Sequence, residues 1–355
     1  MDTLELFCNG NKFSGFNSVN VVRSLDQIAA TYSLSVFQDY SDASMIVPIF
    51  PDDEVRLEVD GDVLLEGYNE TTQAGLSSSA VNCTISGKEY TADLVKCPCA
   101  ELVYENKKVD EIVRRICSGF GLNFRSVSGV DLGAPLKSIA ANPSTKAFDV
   151  MVQACKERRV FPVSDGRGNV SINNNQYESA EVSLVQGKNI LSVQGNFSNV
   201  ARYSKYRVIS ANDPKGKTYA EVLDDQMTRQ REWVLMDSQF SSKENCEARA
   251  RWEANHRQAE SNGLSIVVGS WRQKQGGSLW VPGLLVTADV PAFGIDDQFL
   301  INRVTYTYGQ DGVRAVLQLV NPDLYVQAPA FAKKSKKMKK DIWASVRAQT
   351  GSKLR

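Results

Sequence analysis

Strict alternation of apolar and polar residues constrains the fold of this chain more than any other feature. Val55, Leu57 and Val59 alternate with charged residues, and Tyr32 and Leu34 alternate with serines. Successive side chains of a β-strand point to opposite faces, so this pattern predicts half-buried strands through the first hundred residues. The fold is therefore expected to be β-rich from its beginning.

A tight turn is predicted at Asp60-Gly61-Asp62, between two short alternating runs at residues 56–59 and 63–66. Glycine beside short acidic residues suits the left-handed backbone of a hairpin turn. We therefore expect a β-hairpin here.

The periodicity becomes helical after about residue 99. Val109, Ile112, Val113 and Ile116 recur at helical spacing before Gly119, which predicts a first helix. Ser144 is a predicted N-cap for a second helix, and residues 158–163, 165–169 and 170–172 then read as a strand, a glycine-rich turn and a strand. The apolar face of that second helix comprises Ala147, Phe148, Met151, Val152 and Cys155.

A long helix is predicted from Ser241 to Ser261, with a capping box formed with Glu244 and a terminating Gly263. Its apolar stripe consists of small residues, which predicts close packing against a sheet or another helix. The stripe is Cys246, Ala250 and Ala254, and the residues predicted to face outward are Arg249, Arg251, Glu253 and Arg257.

Strands are also predicted on both sides of that helix. They lie at residues 190–193 and 201–209, then at 264–271, 279–290, 299–307 and 313–320, and a glycine-containing turn joins the last two. The last four of these strands, with their glycine-containing hairpin, favour a barrel.

Length and composition fit a globular chain of several domains. With 355 residues, 42% of them apolar and 23% charged, the chain suits two or three domains. There is no secretory signal pattern and no apolar run as long as a membrane span, so we expect a cytosolic protein whose seven cysteines are reduced core thiols.

The residues that most often carry catalysis are sparse. The single histidine, His256, lies in the predicted long helix and is expected at its solvent edge. Cys97-Pro98-Cys99 lacks a second ligand pair for zinc, and Gly166-Arg167-Gly168 lacks the third glycine of a dinucleotide site. The acid pairs Asp52-Asp53, Asp224-Asp225 and Asp296-Asp297 are interpreted as solvated turn residues. We therefore predict no catalytic residue, no cofactor and no metal site.

The charge of the chain is divided unevenly. Residues 333–355 hold nine Lys or Arg against Asp341 alone, a local charge of +8, and the net charge of zero leaves −8 for the rest. This basic tail is either a solvated tether or a contact for an acidic partner, DNA or anionic lipid. The candidate contact residues are Lys333, Lys334, Lys336, Lys337, Lys339, Lys340 and Trp343.

Four passages in this order resemble the Mu-type tail protein P family and the related late-control D proteins of contractile phages. They are residues 4–16 with 21–26, residues 84–94, the helix from Val109 through Gly119-Phe120-Gly121-Leu122, and residues 279–286 through 299–301. Together they span most of residues 1–325.

The resemblance implies a structural baseplate hub of α+β, β-rich fold. It implies two tail-tube-like β-barrels with an α/β insertion domain, three copies closing a ring-shaped trimer, and a position in the virion after assembly in the host cytoplasm. The implied partners are further copies of the chain, the central spike and the tail tube, with the tape-measure and baseplate wedge proteins as additional candidates.

The predicted domains are residues 1–98, completed by strands after residue 183; 99–182, the insertion; 183–325, with the long helix at 241–261; and 326–355, the basic tail. Two alternatives stay open beside the hub. One is a hub with its own cell-wall hydrolase activity, and the other is a module that binds DNA or membrane through the basic tail.

Overall fold

The computed structural model of the chain describes residues 2–39, 49–76, 80–126, 132–158, 160–173, 176–210, 217–237 and 242–325. Within these ranges the chain is β-rich with few helices. The strands are β1 Leu4–Cys8, β2 Asn11–Phe13, β3 Ser18–Ser24, β4 Thr31–Asp39, β5 Glu54–Val59, β6 Asp62–Leu76, β7 Ala80–Glu89, β8 Val103–Lys107, β9 Asn123–Arg125, β10 Leu136–Ala140, β11 Phe161–Ser164, β12 Asn169–Asn173, β13 Glu178–Ser179, β14 Leu184–Val185, β15 Ser192–Phe197, β16 Lys205–Ser210, β17 Tyr219–Leu223, β18 Glu232–Asp237, β19 Asn262–Val268, β20 Leu284–Val290, β21 Ile295–Gly309 and β22 Gly312–Val320. The helices are α1 Ala92–Lys96, α2 Val109–Gly119, α3 Ala147–Lys156 and α4 Lys243–Glu260, with short 3-10 helices at Pro291–Phe293 and Pro322–Tyr325.

The chain divides into two compact units that alternate along the sequence. Unit 1 comprises the described residues up to Gln176 together with Val267–Gly283 and Asn302–Leu317. Unit 2 comprises Tyr177–Ile266, Leu284–Ile301 and the described residues from Gln318. The predicted division into four domains in chain order stays a prediction.

The predicted hairpin at Asp60-Gly61-Asp62 in unit 1 is confirmed. Strands β5 and β6 pair antiparallel with Val59 opposite Asp62. Asp60 and Gly61 have φ values of 48° and 88°, the positive values that a two-residue hairpin turn requires at both central positions. The turn sets the pairing of Val59 and Glu58, and an irregularity between Glu58 and Leu57 then shifts the register by one residue, so that Leu57 pairs with Leu65. Val55 and Leu57 are buried.

Unit 1 also joins the start of the described chain to its late segments Val267–Gly283 and Asn302–Leu317. The Asp2 carboxylate accepts hydrogen bonds from the Ser270 hydroxyl at 3.0 Å and the Trp271 amide at 2.9 Å. The buried Trp271 indole donates to the Arg314 carbonyl at 3.0 Å. Strand β21 pairs antiparallel with β3, with Arg303 opposite Ser24. Early and late strands are therefore neighbours within unit 1.

Strands β8 to β12 and helices α2 and α3 form an α/β layer in unit 1. Helix α2 and the strand pair β11–β12 were predicted and are confirmed. Helix α3, however, begins at Ala147, so the prediction of Ser144 as N-cap is wrong. Residues 142–145 form a turn, and the Ala147 amide donates to the Cys97 carbonyl at 2.9 Å. Because that backbone carbonyl satisfies the first amide, the helix does not use a Ser144 cap.

A buried carboxylate holds this layer against the N-terminal strands. Glu89 accepts a hydrogen bond from the Ala30 amide at 3.1 Å and another from the Ser164 hydroxyl. Burial raises the pKa of Glu89. Nearby, Arg23 donates to the Asp165 carbonyl at 2.8 Å. The β11–β12 turn is therefore fixed by polar contacts.

Helix α4 in unit 2 runs from Lys243 to Glu260, with its N-cap at Ser242, one residue after the predicted cap, and its end within one residue of the predicted Ser261. The Ser242 hydroxyl accepts from the Asn245 amide at 3.3 Å, while Ser241 lies outside the described residues. Ser261 caps the C-terminus, so the prediction that Gly263 ends the helix is wrong, because Gly263 already belongs to β19.

The predicted small-residue stripe of α4 is confirmed as a packing face. Cys246, Ala250 and Ala254 are buried against side chains of β16 and β17 such as Tyr206 and Val222. Small side chains let the helix lie close to the sheet. We call this cluster the α4 core; its buried members are Tyr206, Val208, Ala220, Val222, Cys246, Ala250 and Ala254.

Glu253 was predicted to face outward, and that prediction is wrong. It is 7% exposed and accepts from Arg257 at 2.8 Å, with Arg249 at 3.4 Å. The Arg257 guanidinium lies 4.0 Å from the centre of the Trp233 ring. The aromatic side chains beside the narrow stripe cover the flank of the helix, and the carboxylate is buried there because two arginines compensate its charge.

The predicted strands at 279–290 and 299–307 correspond to β20 and β21, which pair antiparallel in unit 2 with Val290 opposite Ile295. Strand β20 also pairs in parallel with β13 and β14. Pairings among the described strands do not trace a closed barrel, so the barrels stay a prediction. No helix of the described ranges combines the length and apolarity that crossing a membrane requires.

Candidate interaction surface

His256 was expected at the solvent edge of its helix, and its intermediate exposure agrees with that position. The side chain is half-buried and stacks on Trp252, with the ring centres 4.7 Å apart and the planes 16° apart. Burial lowers the pKa of His256, which favours the neutral ring. Its contacts are those of a packed aromatic side chain.

The cysteines are free thiols, and six of the seven are buried as predicted, whereas Cys97 is exposed. Burial raises the pKa of both Cys117 and Cys155 to about 12, so these thiols stay protonated at neutral pH. They act as small core side chains. Among the described residues, no group of three or more His, Cys, Asp or Glu side chains could hold a metal ion.

The three acid pairs were interpreted as solvated turn residues, and only part of that interpretation holds. Asp53 does cap a turn, accepting from the Phe50 amide at 2.7 Å. Asp224, in contrast, is buried and accepts from the buried Arg202 at 2.6 Å. Asp296 and Asp297 lie within strand β21. Asp224 could not be distinguished from its exposed neighbour by sequence, because its arginine partner lies 22 residues away.

The candidate contacts of the basic tail, Lys333, Lys334, Lys336, Lys337, Lys339, Lys340 and Trp343, lie outside the described residues. Both interpretations of the tail therefore stay predictions.

A three-stranded sheet in unit 2 presents the most distinctive surface of the described chain. The order is β17-β16-β18, with β17 antiparallel and β18 parallel to β16. The α4 core covers one side. We call the opposite side the outer face; its members are Lys205, Arg207, Ile209, Tyr219, Glu221, Leu223, Glu232, Val234 and Met236.

Sequence alternation builds this face directly. Along β16, Tyr206 and Val208 point into the α4 core, and the residues between them point outward. Along β17, Ala220 and Val222 are buried, while Tyr219 and its outward neighbours are exposed. Each strand therefore gives the outer face a fixed set of side chains.

Strand pairing arranges the outer face in three rows. Residues of β16 lie at the centre of each row, with their partners of β17 and β18 on either side. The rows, each written from β17 through β16 to β18, are Leu223, Lys205 and Glu232; Glu221, Arg207 and Val234; and Tyr219, Ile209 and Met236.

Charges on the outer face are paired with one another. Arg207 donates to Glu221 at 2.7 Å and lies 3.2 Å from Glu232. Lys205 lies 3.4 Å from Glu221 and 3.2 Å from Glu232. The hydrogen bond from Arg207 lowers the pKa of Glu221, which keeps that carboxylate ionised. Two cations and two anions leave no excess charge on the face.

The remaining side chains of the outer face are apolar and exposed. Tyr219, Leu223, Val234 and Met236 are 44%, 61%, 51% and 67% exposed. Nine large apolar side chains of the described residues are at least 44% exposed, and four of them belong to this one face. Clustered exposure of this kind marks protein interaction sites. The outer face suits binding to another protein surface.

Sequence reasoning missed this surface because strands β17 and β18 were not predicted. The signal was present in the apolar run at residues 233–236 and in the alternation at residues 219–223. Both runs are short and lie beside the long helix, whose periodicity dominates the region.

Three domain families match successive parts of the chain. Residues 3–89 match the N-terminal domain of the family described as Mu phage baseplate assembly protein GpP-like. Residues 91–174 match the second domain of the family of baseplate hub protein gp44-like proteins. Residues 242–328 match the fourth domain of Mu phage baseplate assembly protein GpP.

Individual relatives match over nearly the whole chain. Baseplate hub protein gp44 of Escherichia phage Mu is 26% identical over 336 residues, which cover 90% of this chain and 87% of the relative. The crystal structure of a 43 kDa tail protein of prophage MuSo2 from Shewanella oneidensis is similar with a TM-score of 0.83 and 25% identity, covering 92% of this chain and 100% of that one. A tail protein from Neisseria meningitidis MC58 shares the fold with a TM-score of 0.78 at 15% identity, covering 92% and 98%.

Proposed function

We propose that this chain, which belongs to the family of Mu-type baseplate hub proteins, is the structural hub of a contractile phage tail, joining the tail tube to the central spike. The ordered match of three hub domain families along the chain carries this proposal. The hub would act in the virion baseplate after assembly in the host cytoplasm.

A trimeric ring is the proposed form of the hub. Each subunit would contribute two tail-tube-like barrels, so that three copies present six barrels to a tube of six-fold symmetry and three equivalent sites to the spike. Closed rings are built from repeated contacts between different surfaces of identical subunits. Exposed apolar side chains such as Val234 and Met236 support a role in assembly, since such side chains are usually buried by a partner.

The proposed partners are other copies of the chain, the spike and the tube, with the tape-measure and wedge proteins as further candidates. The proposed role is non-enzymatic. This part of the proposal is supported by the relatives, because the matched domain family and the Mu relative are baseplate hub proteins.

Solution mass tests the hub proposal first. Light scattering across a concentration series is expected to give a trimer of three times 39.2 kDa, alone or on mixing with the spike protein of the same phage. The spike alone is the control for the mass of the mixture. A chain that stays single in the mixture would contradict the proposal.

The hydrolase alternative has a direct assay. Purified chain is expected to release no peptidoglycan fragments from purified cell walls, with a known lysozyme as positive control. Turnover that depends on the concentration of the chain would replace the structural proposal by the hydrolase one.

The basic tail supports a second candidate function, binding of DNA or anionic membrane, through its local charge of +8. A chain truncated before residue 333 and a full-length variant with the six lysines of residues 333–340 changed to glutamine separate charge from length. Salt-sensitive binding to duplex DNA or anionic vesicles, lost in both variants, would favour this function. Equal behaviour of all three proteins leaves the tail as a tether.

A further inference from the structure

We propose that the outer face of the β17-β16-β18 sheet is bound by a second copy of this chain in the hub ring. The proposal rests on the proposed function and adds the residues that carry subunit contact. The partner follows from three properties of the face: its charge, its apolar content and its size.

Charge excludes nucleic acid and anionic lipid as the partner. Both recognise an excess of Lys and Arg, whereas Lys205 and Arg207 are already neutralised by Glu221 and Glu232 on the same face. An electroneutral face with internal ion pairs instead fits a protein surface that brings few unpaired charges. The charges then fix the register of the contact without contributing much attraction.

Apolar content favours a copy of the same chain. Five of the nine members of the outer face are apolar: Ile209, Tyr219, Leu223, Val234 and Met236. Interfaces between identical subunits are more apolar than those between proteins that associate transiently. Met236 and Tyr219 also belong to the side-chain types that are enriched in interface cores.

Size indicates a ring rather than an isolated pair. Three strands about 4.8 Å apart, each with three outward residues about 6.7 Å apart, give a footprint of about 300 Å². A stable interface needs about 800 Å² on each partner. The outer face alone is therefore too small for a lasting dimer, but it suits a contact repeated around a ring in which further surfaces add to it.

Ring geometry makes the test sensitive. In a ring the outer face of one copy meets a different surface of the next copy, so a single substitution alters every interface once. A double variant, Val234→Glu with Met236→Glu, places two unpaired charges in each contact. The matched control is Leu191→Glu with Val200→Glu, two apolar side chains of the same unit that are 59% and 79% exposed and lie off the sheet.

Light scattering of the full chain, with the spike added where trimer formation requires it, is the measurement. We expect trimers from the parent chain and the control, and at least 10-fold weaker association of the face variant, with unchanged circular dichroism and thermal midpoint. A face variant that trimerises like the control would overturn this inference and leave the hub proposal standing. A parent chain that never forms a trimer would overturn both.

Hydrogen exchange on the unmodified chain gives a second readout that does not depend on how a variant folds. Trimer formation is expected to slow amide exchange in edge strand β18 relative to the same strand in diluted monomer. Strand β15, at residues 192–197, serves as the internal reference. Unchanged exchange in β18 while the mass rises to a trimer would overturn the proposal.

Discussion

The α/β layer of unit 1 and the α4 core of unit 2 with its surroundings differ in the interactions that stabilise them. Around α2 and α3, 20 buried apolar residues form one cluster. The α4 core has only seven, three of them cysteine or alanine of the helix. Beside it lie buried or half-buried ions: Arg202 with Asp224, and Glu253 with Arg257. The sheet that packs on the α4 core has larger apolar side chains exposed on its outer face.

The comparison shows that the apolar side chains a region buries inside the subunit determine how many remain exposed at its surface. A layer that buries its apolar side chains internally has few left for a partner. The α4 core is small, and ion pairs lie beside it. Buried ion pairs of this kind hold the geometry of a region more than they increase its net stability. The apolar side chains of the outer face are available to a neighbour. Substitutions in the two regions should therefore differ in kind.

The largest effect is expected at the buried ion pair. Asp224→Ala leaves the Arg202 guanidinium, 2% exposed, without its carboxylate, and should lower the free energy of unfolding by about 3–5 kcal/mol. Urea denaturation measures the loss. Asp225→Ala, at the exposed neighbouring position, is the control and should change little. Equal losses in both variants would mean that the buried ion pair contributes no more to stability than an exposed carboxylate.

A slightly smaller loss is expected in the apolar layer. Ile112→Ala deletes a fully buried side chain from α2 and should cost about 2–5 kcal/mol through lost burial and a residual cavity. Ser118→Ala, on the exposed side of the same helix, should be nearly neutral. If urea denaturation found Ile112→Ala neutral as well, the layer would be less tightly packed than its burial indicates.

The helix caps separate the sequence prediction from the structure. Ser242→Ala removes the hydrogen bond to the Asn245 amide and should cost about 1 kcal/mol. Ser144→Ala alters the predicted cap of α3, which makes no capping hydrogen bond there, and should change thermal stability very little. The reverse order would mean that α3 begins at Ser144 in solution.

The smallest effect is expected from pH at Glu89. Burial raises the pKa of Glu89 in the folded chain, so the unfolded chain ionises first as pH rises and ionisation favours unfolding. The stability of Glu89→Gln relative to the parent chain should therefore increase as the pH rises above about 4, the ordinary range of a glutamate. Denaturation at several pH values measures the trend, and the exposed Glu105→Gln controls for loss of one charge. A constant difference would contradict it.

Local patterns predicted the elements that depend on local physics. The turn at Asp60-Gly61 needs positive φ at adjacent positions, and α2 shows an uninterrupted helical stripe from Val109 to Ile116. Both features are determined by a few neighbouring residues. The resemblance of four ordered passages likewise predicted the family from the sequence alone.

Features decided by distant partners could not be predicted. Glu253 looks like a surface residue until Trp233, 20 positions earlier, covers Arg257 beside it. The start of α3 depends on the Cys97 carbonyl, which comes from a different element. The outer face requires the pairing of β16 with β17 and β18, and no single strand contains its pattern.

The hydrogen bonds from Ser270 and Trp271 to Asp2 can form only late in translation, because they join residues far apart in the chain. Strand β3 pairs with β21, so unit 1 cannot be completed until the ribosome has translated some 300 residues. At about 5–20 residues per second, the first strands wait on the order of tens of seconds beside an unpaired edge. During that interval the edge of β3 that later pairs with β21 is open, and an open strand edge is a template for pairing with another chain.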